Sequence, residues 1–210
     1  MTSIKNGGFD GCVNLDVDNM DLSKLEEMQY NAFSGCLQLT KIPSMPLLDE
    51  LPSNAFRGCV NLTGAIDLRN YVWNSGTFAE TGITEVTITA EQLEEYTLEE
   101  MTSLTKANVI GELTYIGSSA FEGCSSLAFD NIDFSKVIAV GGSAFKGCLG
   151  LTEVNMPSLL GITSAAGLFD GCTNITKVSM PLYLIDSVVA DNVDKHSNCC
   201  LLYTSDAADD

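Results

Sequence analysis

The sequence predicts an α/β repeat solenoid: about eight stacked coils with a parallel β-sheet on one side and short helical turns on the other. Three observations predict it. A Phe-x-Gly-Cys unit recurs at about 23 residues per copy. A Gly stands two residues after most of those Phe residues, where a left-handed conformation would stop a helix after about one turn. An apolar-polar-apolar triplet follows the later copies, and a period of two marks a short strand with one side chain out and two in.

The clearest copies are Ala32-Phe33-Ser34-Gly35-Cys36, Ala55-Phe56-Arg57-Gly58-Cys59, Ala120-Phe121-Glu122-Gly123-Cys124, Ala144-Phe145-Lys146-Gly147-Cys148 and Leu168-Phe169-Asp170-Gly171-Cys172. Phe9-Asp10-Gly11-Cys12 opens the chain in mid-unit. Phe78 heads a copy one residue short and without Cys, and Leu98 holds the Phe slot of a degenerate copy. Ser53-Asn54, Ser118-Ser119 and Ser143 precede Ala-Phe, and such side chains cap exposed donors at a helix start. The strand triplets are Ile66-Asp67-Leu68, Val86-Thr87-Ile88, Ala107-Asn108-Val109, Ile132-Asp133-Phe134, Val154-Asn155-Met156 and Val178-Ser179-Met180. One strand per coil can pair only with its copy in the next coil, so the sheet is parallel and each coil needs its neighbours to cover its core.

The unit [Ser/Asn]-Ala-Phe-x-Gly-Cys-x-x-Leu-Thr-x-(Ile/Val)-x-(Ile/Met)-Pro, with Met156-Pro157 and Met180-Pro181 ending strands, resembles the BspA-like class of leucine-rich repeats over about residues 9–199. The resemblance implies a leucine-rich-repeat solenoid with its sheet concave and its turns convex. It also implies a cell-surface or secreted protein of host-associated bacteria or some protozoa, used for adhesion and protein binding. No catalytic residues are implied.

Composition narrows the partners. With 28 acidic against 10 basic side chains the net charge is −18, which argues against nucleic acid and acidic bilayers, since both need clustered Lys and Arg. The apolar share of 45% argues against disorder, and no apolar run is long enough to span a membrane.

Candidate chemistry yields to structural readings. Cys12, Cys36, Cys59, Cys124, Cys148 and Cys172 share one repeat position. They lack metal-ligand spacing, and stacked copies point in parallel, so they read as small buried hydrophobes rather than metal ligands or disulfides. Asp16-Val17-Asp18-Asn19-Met20-Asp21 lacks the oxygen ligand and the Gly that a calcium loop needs at its fifth and sixth positions. The acidic run Glu91, Glu94, Glu95, Glu99 and Glu100 reads as solvated surface. Asn61-Leu62-Thr63 and Asn174-Ile175-Thr176 match a glycosylation acceptor, as a by-product of the repeat. Trp73, in a repeat-breaking insert, reads as packing ahead of a binding anchor. No phosphate loop, nucleophile elbow or His-containing catalytic set can be assembled, and neither metal nor cofactor is expected.

Neither end offers a polar cap, a signal peptide is not visible, and the chain reads as a stretch of a longer array in one domain, residues 1–199. From Cys200 onward no repeat position is matched, and the run resembles a translated sequencing adapter, so 200–210 is expected to be a non-native tail; His196-Ser197-Asn198-Cys199 could open another unit. The functional expectation is a non-enzymatic module that binds protein or glycan, host-derived ligands included. Its candidate contacts are the central triplet residues Asp67, Thr87, Asn108, Asp133, Asn155 and Ser179. The alternatives are a passive spacer in a larger surface protein and a parallel β-helix polysaccharide-degrading enzyme. Asp67 and Asp133, about 14 Å apart by strand spacing, stand too far apart to act as a catalytic pair.

Overall fold

The computed structural model describes residues 1–184, Val188 and the backbone of Leu202–Tyr203. The expectations for His196, Cys199 and Cys200, and for a boundary at residue 200, fall outside those residues. Of the expected tail only Leu202–Tyr203 is described, and its backbone pairs with the preceding coil.

The chain winds as a parallel-strand solenoid of about eight coils, and each coil contributes to one or both of two strand columns. The outer-face column holds β4 (Thr63–Asp67), β6 (Gly82–Thr89), β8 (Lys106–Ile110), β11 (Glu153–Asn155), β13 (Lys177–Ser179) and β14 (Leu202–Tyr203). These form two parallel sheets, β4-β6-β8 and β11-β13-β14. The second column consists of two-residue strands five and six residues before most Phe slots: β1 (Ser3–Ile4), β2 (Glu27–Met28), β3 (Glu50–Leu51), β5 (Val72–Trp73), β7 (Gln92–Leu93), β9 (Tyr115–Ile116), β10 (Ala139–Val140) and β12 (Gly161–Ile162). The expectation of one strand per coil is thus corrected to two in the coils that also pair on the outer face. The apolar residue at the inner position of each pair, from Ile4 through Leu51 and Ile116 to Ile162, is the signal that marks the second strand.

The Phe units are hydrogen-bonded turns, not helical turns with capped starts. The residue two before each Phe slot (Gly7, Asn31, Asn54, Gly76, Tyr96, Ser119, Ser143, Gly167) has φ of 55–65°. The residue two after it (Gly11, Gly35, Gly58, Glu80, Glu100, Gly123, Gly147, Gly171) has φ of 56–76°. A helix N-cap holds an extended backbone, so Asn54, Ser119 and Ser143 are not caps. The left-handed residues turn backbone donors along the solenoid axis. In one coil the N–H groups of Asn31, Phe33 and Gly35 donate to the carbonyls of Ser53, Ala55 and Arg57 in the next, at 3.1, 2.9 and 2.7 Å. The same three rungs join Ser119, Phe121 and Gly123 to Gly142, Ala144 and Lys146. Donors that a helix would satisfy internally are satisfied by the neighbouring coil instead. At Gly35 an added Cβ would find ordinary van der Waals room, so φ rather than space calls for glycine.

Inside the turns, Phe9, Phe33, Phe56 and Phe78 stack with ring centroids 5.4–5.8 Å apart and planes within 11°. Leu98 interrupts the stack, which resumes as Phe121, Phe145 and Phe169 at 5.6 and 5.7 Å. The cysteines form a third column. Cys36, Cys59, Cys124, Cys148 and Cys172 each direct Sγ at the backbone carbonyl of the Phe-slot residue one coil earlier, at 2.8–3.2 Å. They are buried, as a small hydrophobe would be, but each also donates a weak hydrogen bond. Burial pushes the Cys36 thiol up to about 11 and the Cys59 and Cys124 thiols up to about 12.

Two outcomes follow. Phe145 has no exposed surface and touches rings on both neighbouring coils, so Phe145→Ala should cost about 3–5 kcal/mol in denaturant unfolding; a loss below about 1 kcal/mol would overturn the stacking assignment. Because the thiolate is the reacting species, Cys59 and Cys124 should resist iodoacetamide at pH 8 in the folded protein, while half-exposed Cys12 is modified first. Peptide mass spectrometry after timed quenching reads the order.

Candidate binding face

The outer face is built by alternation. In β6, Val86 and Ile88 are buried while Thr87 between them faces out; in β11, Val154 is buried between Glu153 and Asn155. Register then brings copies together: Asp67, Thr87 and Asn108 are successive Cα partners across β4, β6 and β8, and Asn155 partners Ser179. Five of the six expected residues therefore lie in outward rows, three on one sheet and two on the other.

Asp133 does not join them. Its coil carries two more residues between Phe121 and the triplet than the coils of Leu98, Phe145 and Phe169 carry, and residues 131–134 form no strand. The extra length lets Phe129 and Phe134 turn inward, where they meet Phe145 edge-on at 5.9 and 5.5 Å. Asp133 is left exposed in the loop, its Oδ1 accepting the Ser135 N–H at 2.8 Å. The expected unbroken row is thus two patches with an interruption at 128–134. The early coils are also strandless on this side: Pro43 stands at the centre of Ile42-Pro43-Ser44 and cannot donate to a ladder, and Val17–Asn19 form a 3-10 helix.

The larger patch is organised by hydrogen bonds. Asn108 Nδ2 donates to Glu85 Oε1 at 2.7 Å and to Thr87 Oγ1 at 3.2 Å, and Lys106 Nζ reaches the same Glu85 oxygen at 3.0 Å. The bond from Asn108, then that from Lys106, hold the Glu85 carboxyl below its ordinary range. Asp67 is gripped by Arg69 through Nε at 2.9 Å and Nη2 at 2.6 Å, which lowers its carboxyl to about 2. Arg69, which the triplet pattern passes over, is therefore part of the face. Glu153 and Lys177 are Cα partners on the smaller patch, repeating the alternation of sign.

Other candidates resolve into structure. Asp16 accepts Asn19 Nδ2 at 2.7 Å within its own coil, while Asp18 takes both the N–H and the hydroxyl of Thr40 and so ties two coils together. Asn61 and Asn174 donate their Nδ2 groups to the Leu37 and Leu149 carbonyls of the preceding coil, at 2.7 and 2.8 Å. Trp73 sits half-buried at the inner position of β5, its Nε1 donating to the Thr97 carbonyl at 3.4 Å, and is packing rather than an exposed anchor. Among the described residues no group of three His, Cys, Asp or Glu side chains is placed to hold a metal ion.

Residues 1–99 and 91–189 match the BspA type leucine rich repeat region, in six copies. The chain belongs to the BspA-type leucine-rich-repeat family. No curated protein matches it. Its fold is similar to that of a leucine-rich repeat protein from Bacteroides ovatus, at 24% identity and a TM-score of 0.66, with 97% of this chain and 58% of that one covered. It is also similar to a leucine rich cell surface protein from Faecalibacterium prausnitzii, at 15% identity and a TM-score of 0.54, covering 99% and 70%. The BspA-type chain thus spans somewhat more than half the length of the Bacteroides protein. No helix among its described residues is long and apolar enough to cross a membrane.

The Glu85 network predicts a titration. Asn108→Ala should let the Glu85 carboxyl rise towards its ordinary 4.5, and Lys106→Ala should raise it less, because the Asn108 bond is the larger influence. A carboxylate held low adds stability above its ordinary range and loses it as pH falls through the lowered value. Side-chain carboxyl NMR reads both shifts, and an unmoved Glu85 in Asn108→Ala would discard the network.

Proposed function

We propose that this BspA-type solenoid is a non-enzymatic binding module of the cell surface or the extracellular space, recognising protein or glycan through its outer strand face. The observation that carries the reading is the outward row Asp67, Thr87 and Asn108, backed by the fixed Glu85–Lys106 pair on a hydrogen-bonded sheet. Short polar side chains lose little entropy on ordering and suit hydrogen-bonded recognition. Paired strands hold them at about 4.8 Å intervals, so contacts are pre-organised rather than assembled on binding. Asn155 and Ser179 extend the face beyond the interruption at 128–134.

Catalysis is the weaker reading for a physical reason. A carboxylate that works as an acid or base needs a free oxygen near a partner group. Asp67 has both oxygens on Arg69, and Asp133 spends one on Ser135. The surface location draws on the family and on the Faecalibacterium relative's description as a cell surface protein.

The test takes a partner captured by pull-down and measures its affinity for Asn108→Arg with Asn155→Arg. Two long cations in the row should weaken binding by about tenfold or more. Unchanged affinity in a folded double variant would remove this face from the function.

A further inference from the structure

The interruption at 128–134 leaves β11 as a sheet edge. Met156 N–H donates to the Ser179 carbonyl at 2.8 Å, so Val154 and Met156 direct their backbone groups at β13. By the alternation of a strand, Glu153 and Asn155 turn their N–H and C=O groups the other way, towards 129–134. That segment turns Phe129 and Phe134 inward onto Phe145 and pairs with neither sheet, so the strand position beside β11 is left unfilled. The β8 edge on its far side is partly closed, because Asn131 Nδ2 reaches the Ala107 carbonyl at 3.4 Å and Ala128 N–H reaches Thr105 at 3.1 Å. The β11 edge has no such cover among the described residues.

What faces that edge is a groove. Two depressions of about 450 and 360 Å³ share Phe129, Asp130 and Glu153 as walls, and the second reaches Asp133 and Asn155. Three carboxylates line the pair, and no Lys or Arg does. Lys136 is near enough to help hold the Asp133 carboxyl low, and Lys177 on β13 is the Cα partner of Glu153, but neither lines the walls. The β4 edge faces a depression of about 350 Å³ with Lys41 in its wall, and the Asp67 carboxylate there is already paired to Arg69. Of these two edges, the β11 groove joins unpaired strand backbone to walls that hold three carboxylates and no Lys or Arg.

We propose that the groove beside β11 takes an extended polypeptide segment bearing Lys or Arg, which adds as a strand to the backbone of Glu153 and Asn155. The inference rests on the binding reading above and names the class of partner. An open strand edge offers donors and acceptors at the spacing of a ladder, which an extended peptide satisfies along its length. Specificity then falls to alternate side chains, and those reaching the walls meet Asp130, Asp133 and Glu153. The chain's net −18 draws a cationic segment towards the groove and disfavours an acidic one.

The probe is a fluorescein-labelled octapeptide of alternating Val and Lys, titrated with the full chain by anisotropy. Its companions are the Val-Glu octapeptide and two Val-Lys versions N-methylated at alternate residues, one for each edge of the strand. The Val-Lys peptide should bind and the Val-Glu peptide should not. One N-methylated version, with charge intact, should lose about tenfold or more. Asn155→Pro removes a groove-facing N–H while leaving the β11–β13 ladder its donors at Val154 and Met156, and should weaken the Val-Lys peptide similarly. Equal binding by both N-methylated versions would show attraction by charge alone and overturn the proposal, as would absence of binding. If Asn155→Pro does not fold, the N-methylated pair still decides. A pulled-down partner weakened by Asn108→Arg but indifferent to a folded Asn155→Pro would discard the groove and leave the outer face standing.

Discussion

Coil-to-coil hydrogen bonding through two left-handed residues per turn is the constraint on which the rest of this solenoid depends. A backbone that runs Asn31, Phe33, Gly35 with donors all pointing along the axis can satisfy them only if another coil lies one step away. Burial reinforces the demand, because an unpaired N–H in an apolar interior costs about as much as a lost hydrogen bond. Each turn therefore specifies its neighbour's position, and the Phe and Cys columns fall into stacks as a consequence. A positive φ costs a non-Gly residue about 1–2 kcal/mol, and Asn31, Asn54, Ser119, Ser143, Tyr96, Glu80 and Glu100 all accept that cost. Their number indicates how much the inter-coil ladder returns.

The cysteine column belongs to the same arrangement. A side chain at that slot must be small enough for the interior and still face a carbonyl of the previous turn. Cysteine meets both demands with a weak donor that is cheap to bury. Thr81 fills the slot in the Phe78 coil and sends its hydroxyl to the Phe78 carbonyl at 2.8 Å instead, inside its own turn. Met101 fills it in the Leu98 coil, where the aromatic stack is also missing. The two substituted coils are adjacent; the Phe78 coil lacks only the cysteine column and the Leu98 coil lacks both, and here the outer sheet runs most continuously, as β4-β6-β8.

Function follows from where the outer column is allowed to pair. Between Phe units the chain is under weaker control, because spacing there varies by a residue or two without disturbing the convex ladder. Where the spacing suits, strands pair and carry polar rows outward. In the Phe121 coil two added residues release the strand, aromatic side chains take up the slack inside, and a groove opens on the edge of β11. The same tolerance that makes the repeat robust thus divides its face into distinct patches.

The sequence by itself determined the solenoid, its period, the parallel pairing and the outward direction of Asp67, Thr87, Asn108, Asn155 and Ser179, because all of these follow from periodicity, a local property that every copy states again. The second strand column left a trace in the apolar series from Ile4 to Ile162, which a reading of one strand per coil passes over. Tertiary structure alone decided what depends on one coil lying against another. Asn54 and Ser143 look like caps in isolation and become left-handed donors only because a neighbouring carbonyl is there. Ile132-Asp133-Phe134 has the alternation of a strand, yet Phe129 and Phe134 pack edge-on against Phe145 and the segment joins no ladder. Asn61 and Asn174 read as acceptor sites in one dimension and prove to be ties between coils. A pattern reports what a segment can do alone, and the contacts that override it reside in residues about 23 positions away.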